Sequence, residues 1–243
     1  CGDLFLQKAL LDSAEKSLLI IAEETAALDI ISIVGLPLKK DSVLLNCGVV
    51  IYHGEILGAV PKQNIPNYSE FYEARHFTSG NGYDFTDVKI GEKSYPLSCS
   101  MVFSCKNISN FSFGIEICED LWVINPPSNY LAENGALLIC NLSASDEVIG
   151  KAEYRRSLVK SQSARLISGY IYADAGTGES STDMVFAGHN LIAENGAILS
   201  ESKKFTTGIT YSDLDLDRLS SERRRMTTFK NITEKKPLIC EFD

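Results

Sequence analysis

Two stretches of helical length, set among apolar runs of strand length, most constrain what this chain can fold into. Asp3–Asp29 carries no Gly or Pro, and Leu4, Leu11, Leu18, Ile21 and Ala22 recur near helical spacing, which predicts one long helix. Lys151–Ser168 predicts a second. Strands are expected at Ile30–Leu38, Leu44–Tyr52 and Ile56–Val60, the last two folded about His53-Gly54. Further strands are expected at Ser94–Phe103, Phe111–Ile117, Ala136–Leu142, Tyr170–Ala173 and Met184–Ala193. The last of these turns at Asn195-Gly196 into Ala197–Ser200, a good hairpin signal. Gly208–Asp213 is read as a final strand, with short helices at Asn129–Asn134 and Asp217–Met226. A helix buries one stripe and a strand one face, so this alternation argues an α/β (α+β) layered domain. The segment Pro61–Asp87 is polar, aromatic and aperiodic, and a long irregular stretch inside a compact domain is usually functional.

Composition narrows function by exclusion. A net charge of −9 argues against a nucleic-acid binder, which needs a basic face for phosphates. The run Arg223–Arg225 follows Glu222 on the expected last helix and reads as a solvated face. No apolar run approaches the roughly 20 residues of a membrane helix, and Asp3, Gln7 and Lys8 break the opening as a signal peptide. Seven cysteines with no Cys-x-x-Cys, in a chain of 243 residues, point to a reducing cytoplasm and mostly buried thiols. His53, His76 and His189 show no ligand spacing and are expected at turns or on the surface, so no metal is expected.

Two residues stand out chemically. Cys118 ends an apolar run and is followed abruptly by Glu119, Asp120, Leu121 and Trp122. A nucleophile at a strand end has neighbouring backbone N–H groups available as an oxyanion hole. Two adjacent acids raise a thiol's pKa, so a cation must sit nearby if a thiolate is to form. Lys62 follows an expected strand and opens a loop with Tyr68, Phe71, Tyr72, Glu70 and Glu73, a mixture suited to a pocket wall. The ordinary readings are a structural thiol and a solvated lysine.

Residues 60–73 (Val-Pro-Lys-Gln-Asn-Ile-Pro-Asn-Tyr-Ser-Glu-Phe-Tyr-Glu) and 114–122 (Gly-Ile-Glu-Ile-Cys-Glu-Asp-Leu-Trp) resemble the nitrilase, or carbon-nitrogen hydrolase, superfamily. More closely, they resemble the glutaminase domain of glutamine-dependent NAD synthetases. Residues 141–145, 149–156 and 175–183 support the closer match, as does the opening Cys1-Gly2-Asp3-Leu4-Phe5. The resemblance implies an α-β-β-α sandwich and a homo-oligomer. It implies that Cys118 attacks the side-chain amide of glutamine to form a thioester, that Lys62 stabilises the oxyanion, and that Glu70 positions Lys62. Tyr68, Glu119, Trp122, Ser145 and Lys151 fall where that family holds its substrate; a glutamine ammonium wants a carboxylate, and its carboxylate a cation or hydroxyls.

One departure is large. The family's catalytic base is a glutamate ahead of the Gly-Asp-Leu-Phe stretch, and the sequence begins at Cys1. Residues 1–243 therefore read as a single glutaminase domain, an interior fragment without its first strand and without the C-terminal synthetase domain. Ammonia would pass to that synthetase domain of the parent chain, where ATP and Mg would be needed; the glutaminase step needs no cofactor. A free-standing amidase acting on another amide, and a catalytically silent docking subunit, are the rival readings.

Overall fold

The computed structural model describes residues 2–179, 183–229 and 236–243. Cys1 of the opening motif, and Ser180, Ser181 and Thr182 of the 175–183 motif, lie outside the described residues. Contacts divide the chain into two compact units, residues 1–100 with Phe242, and 101–241 with Asp243.

The first unit opens with a 3-10 turn, Gly2–Leu6, followed by α1 (Lys8–Thr25). It continues through β1 (Ile31–Lys40), β2 (Val43–Tyr52), β3 (Glu55–Pro61), a 3-10 turn Glu73–Arg75, β4 (Thr86–Ile90) and β5 (Lys93–Leu97). The five strands form one sheet in the order β1-β2-β3-β5-β4. All its pairs are antiparallel except β3 with β5. Leu18 and Ala22 of α1 are the buried residues of that helix, and they join Leu36, Leu38, Leu45, Val49, Ile51 and Leu97 in one apolar core.

The second unit contains β6 (Met101–Cys105), β7 (Ser112–Ile117), a 3-10 turn Cys118–Leu121, α2 (Pro127–Glu133), β8 (Leu138–Ser143), α3 (Lys151–Leu166) and β9 (Gly169–Asp174). β10 (Leu191–Glu194), β11 (Ala197–Glu201), α4 (Leu216–Arg225) and β12 (Leu238–Phe242) follow. The sheet order is β11-β10-β9-β8-β7-β6-β12. β7, β8 and β9 run parallel, joined through α2 and α3. Parallel neighbours need such crossovers, and ligands of α/β sheets collect at the carboxyl ends of the strands. Cys118, Ser145 and Asp174 all lie at or just beyond those ends.

Several elements differ from expectation. The long first helix breaks at Gln7, whose backbone is extended. The run Ser94–Phe103 is two strands in two sheets. Its interruption is held by Ser98, Cys99 and Ser100, whose side chains all donate to Asp84 Oδ1 at 3.2, 3.0 and 3.0 Å. Of Met184–Ala193 only the end is strand, because Gly188 turns at φ 63° and donates to the Ala175 carbonyl at 2.8 Å. Gly208–Asp213 is not a strand: Ile209 and Tyr211 are exposed, so no burial repays ordering it. β12 was not anticipated.

Candidate active site

In the first unit, the backbone of Lys62 is clamped on both sides. Its N–H donates to the Asn46 carbonyl at 2.8 Å, and its own carbonyl accepts from Gly80 N–H at 2.7 Å. A Cβ at Gly80 would meet the Lys62 carbonyl and Pro61 at 2.8 Å, so no side chain fits there. The Lys62 side chain is 2% exposed. A buried ammonium is costly unless paired, and Nζ forms an ion pair with Glu73 Oε2. The other oxygen of Glu73 accepts from Asn46 Nδ2 at 2.8 Å, which fixes the carboxylate.

Glu73 therefore holds the place expected of Glu70. The chain reverses at Ser69 (φ 49°), with Phe71 N–H bonded to the Tyr68 carbonyl at 2.9 Å. Glu70 lies inside this turn, half-buried. Glu73 comes after it, its N–H donating to the Pro66 carbonyl at 3.2 Å. Tyr68 is exposed and meets Phe71 edge-on at 5.7 Å.

In the second unit, Cys118 is the first residue past β7 and has φ 49°. The left-handed region costs a non-glycine residue about 1–2 kcal/mol, so the surroundings must impose it. Asp120 Oδ2 accepts from Ile117 N–H at 3.0 Å, and Asn141 Oδ1 accepts from Cys118 N–H at 3.1 Å. The expectation that N–H groups at this strand end serve an oxyanion is thereby corrected for these two, which are spent on side chains. Glu119 sits half-buried in the 3-10 turn, its carbonyl accepting from Trp122 N–H at 2.9 Å. Strand alternation ends at Ile117 and does not describe where Glu119 points.

Trp122 and Lys151 are brought together, while Ser145 belongs to a neighbouring polar network. Lys151 Nζ lies 5.5 Å from the Trp122 ring centroid and forms an ion pair with Asp146. Tyr154 packs edge-on against Trp122 at 5.1 Å. Ser145 is buried; its N–H donates to Asp174 Oδ1 at 2.9 Å and its Oγ accepts from Arg155 at 3.1 Å. Arg155 is fully buried and also reaches Glu147 and His189 Nδ1, at 3.1 and 2.8 Å. Since Arg155 can only donate, His189 Nδ1 is the acceptor, and its Nε2–H donates to Glu201 at 2.6 Å. His189 is thus a buried member of this network, where a turn or surface position was expected. Burial, opposed by the Ser145 N–H and Arg155, pushes the Asp174 carboxyl up to about 6.

Thiol environments separate the cysteines. Burial pushes Cys47 and Cys240 up, and Cys140 up to about 12. Among the described residues no group of three His, Cys, Asp or Glu is placed to hold a metal ion, and no helix is long and apolar enough to cross a membrane.

A family model described as carbon-nitrogen hydrolase matches residues 3–224. The chain belongs to the carbon-nitrogen hydrolase family. Its similarity to the glutamine-dependent NAD(+) synthetase of Mycobacterium tuberculosis (strain H37Rv) is 43% identity over 229 residues, covering 93% of this chain and 34% of that protein. A solved glutamine-dependent NAD(+) synthetase from Cytophaga hutchinsonii superposes with a TM-score of 0.74 at 28% identity, over 87% of this chain and 33% of that one. A carbon-nitrogen hydrolase from Helicobacter pylori G27 shares the fold, with a TM-score of 0.70 at 19% identity, over 90% and 73% of the two chains. This carbon-nitrogen hydrolase domain therefore has the α/β layered, nitrilase-type fold and a hydrolase role, and spans about a third of the length of the curated relatives it matches.

What sequence reasoning missed in this hydrolase is the polar support. Glu73, Asn141, Asp174, Arg155 and Tyr170 carry no periodic signal; Glu116 was missed as well, although an acid inside the apolar run Phe113–Ile117 is a signal that could have found it.

Proposed function

We propose that this chain hydrolyses the side-chain amide of glutamine and supplies the ammonia to an NAD synthetase domain of the same parent chain. The observation that carries the reading is similarity to glutamine-dependent NAD(+) synthetases along 93% of the chain. Cys118 attacks the amide carbonyl, ammonia leaves, and water resolves the thioester to glutamate. Lys62 meets the charge that develops on the carbonyl oxygen, and Glu73 keeps its ammonium fixed. Lys151 receives the substrate carboxylate, in competition with Asp146, while Trp122, Tyr68, Ser145 and Glu119 shape the pocket and Glu119 faces the ammonium. This step takes no cofactor; ATP and Mg serve the synthetase step. The protein works in the cytoplasm as a homo-oligomer.

The test is glutamate release from glutamine by the complete natural protein and its Cys118→Ala variant, with mass spectrometry of the trapped acyl-enzyme. A glutamyl adduct on Cys118 and no turnover in the variant are expected. Glutamate release that survives Cys118→Ala would sink the proposal.

A further inference from the structure

Behind Cys118 a line of buried polar side chains crosses the sheet. Asn141 Oδ1, which accepts the Cys118 N–H, also accepts from Ser143 Oγ at 2.7 Å. Asn141 Nδ2 donates to Tyr170 Oη at 3.1 Å, and Tyr170 Oη donates to Glu116 Oε1. The second oxygen of Glu116 accepts from Ser128 N–H at 2.9 Å, and Ser128 Oγ accepts from Gln162 at 2.9 Å. Glu116, Asn141, Ser128 and Tyr170 are all buried. The register sets Glu116 opposite Asn141 across the parallel pair β7–β8, two residues before Cys118.

The polarity of this line is fixed. Cys118 N–H can only donate, so Asn141 presents its oxygen to the nucleophile and its NH2 to Tyr170; Tyr170, having accepted, must donate onward. Both oxygens of Glu116 are then required as acceptors. The line ends at the backbone N–H of Cys118, not at sulfur, so Glu116 does not take the thiol proton through it.

We propose that Glu116 is a positioning residue of the nucleophile: through Tyr170 and Asn141 its carboxylate holds the left-handed backbone at Cys118, and so the direction of the sulfur. The proposal rests on the reading of Cys118 as nucleophile. Protonating Glu116 on Oε1 removes Tyr170's acceptor and reverses the line. The groups facing Glu116 are Tyr170 from β9, Ser128 from α2 and Asp120 from the turn after β7. Burial pushes Glu116 up to about 7, with Asp120 adding to the shift against the donors Tyr170 and Ser128. Activity should fall as pH drops through neutrality.

The test compares Glu116→Gln, Glu116→Asp and Tyr170→Phe in the complete natural protein. Gln keeps the volume but offers one acceptor; Phe removes one oxygen and is the variant least able to unfold the domain. Two readouts are taken per active thiol: kcat and KM for glutamine, and the rate at which iodoacetamide alkylates Cys118 between pH 5.5 and 9. Glu116→Gln and Tyr170→Phe should each lower kcat tenfold or more with KM within threefold, and the double variant should be no slower than the worse single one. The fall near pH 7 should vanish in Glu116→Gln, and Glu116→Asp should recover at least threefold. Folded Gln and Phe variants with parental kcat and parental alkylation profiles, or an Asp variant no better than Gln, overturn the proposal. If the parent does not hydrolyse glutamine, the functional reading fails, and the alkylation profiles alone still decide the role of Glu116.

Discussion

Lys62 and Cys118 owe their environments to contacts of different range. Lys62 is paired by a residue of its own loop, so Glu73→Gln and Glu70→Gln separate the two candidate partners. Glu73→Gln removes the carboxylate paired with a buried ammonium, and breaking such a pair typically costs about 3–5 kcal/mol; kcat is expected to fall at least about tenfold because the cation is held less firmly. Glu70→Gln should stay near the parent in both steady-state kinetics and thermal unfolding; the reverse ranking would return Glu70 to the role the sequence suggested. Cys118 should be the first thiol alkylated near neutral pH. Burial pushes the Cys140 thiol up to about 12 and raises Cys47 as well, so their thiolates are scarce. Time-resolved peptide mapping that found either modified ahead of Cys118 would contradict this.

At the scale of elements, the basic run on α4 divides into one structural residue and two surface ones. Arg223 Nε donates to the carbonyls of Leu166 and Ile167 at 3.1 Å, and its NH2 group donates to Ala136 at 2.8 Å. It stacks on Phe229 at 4.8 Å. The end of α3 and the turn after α2 are thus tied to α4 by one guanidinium that satisfies carbonyls the helices leave open. Burial lowers Arg223 to about 10, so it remains charged at neutral pH. Arg223→Ala should destabilise the domain by about 2–3 kcal/mol, since it strands several acceptors; Arg224→Ala, on the exposed face, should stay within about 0.5 kcal/mol. Denaturant midpoints for the two variants provide the comparison, and equal midpoints would refute the division. The solvated-face reading holds for Arg224 and Arg225 and fails for Arg223, because a helical run states charge but not which side meets a neighbour.

At the scale of the whole molecule, two buried acids set the sign of the pH dependence. Glu116 is raised to about 7 and Asp174 to about 6, each chiefly by burial. A raised folded pKa contributes stability that is fully present below the unfolded value and is lost as pH rises through the folded one. At about 1.36 kcal/mol per unit, each loss is on the order of 3 kcal/mol. Glu201 acts oppositely: Arg156, against the effect of burial and together with His189, holds it below its usual range, so its contribution fades in acid. Stability should therefore peak between about pH 4 and 5 and decline toward pH 8, the melting temperature falling by several degrees. Glu116→Gln should flatten that decline. A melting temperature that climbs steadily from pH 5.5 to 8 would show that these acids are not buried as described.

The sequence by itself determined the class of the fold and singled out Cys118 as the candidate nucleophile. Helical and strand periods are properties of a dozen neighbouring residues, and Cys118 stood out because the apolar run before it stops at Ile117. Only the tertiary structure decided that Glu73 and not Glu70 pairs with Lys62, and that Asn141 takes the Cys118 N–H. It also decided that His189 and Arg223 work inside the fold. Those choices depend on how an aperiodic loop folds back and on which residues 23 or more positions apart share a strand register or a helix end. No local pattern carries such distances, whereas a buried charge or donor must find its partner wherever packing has placed one.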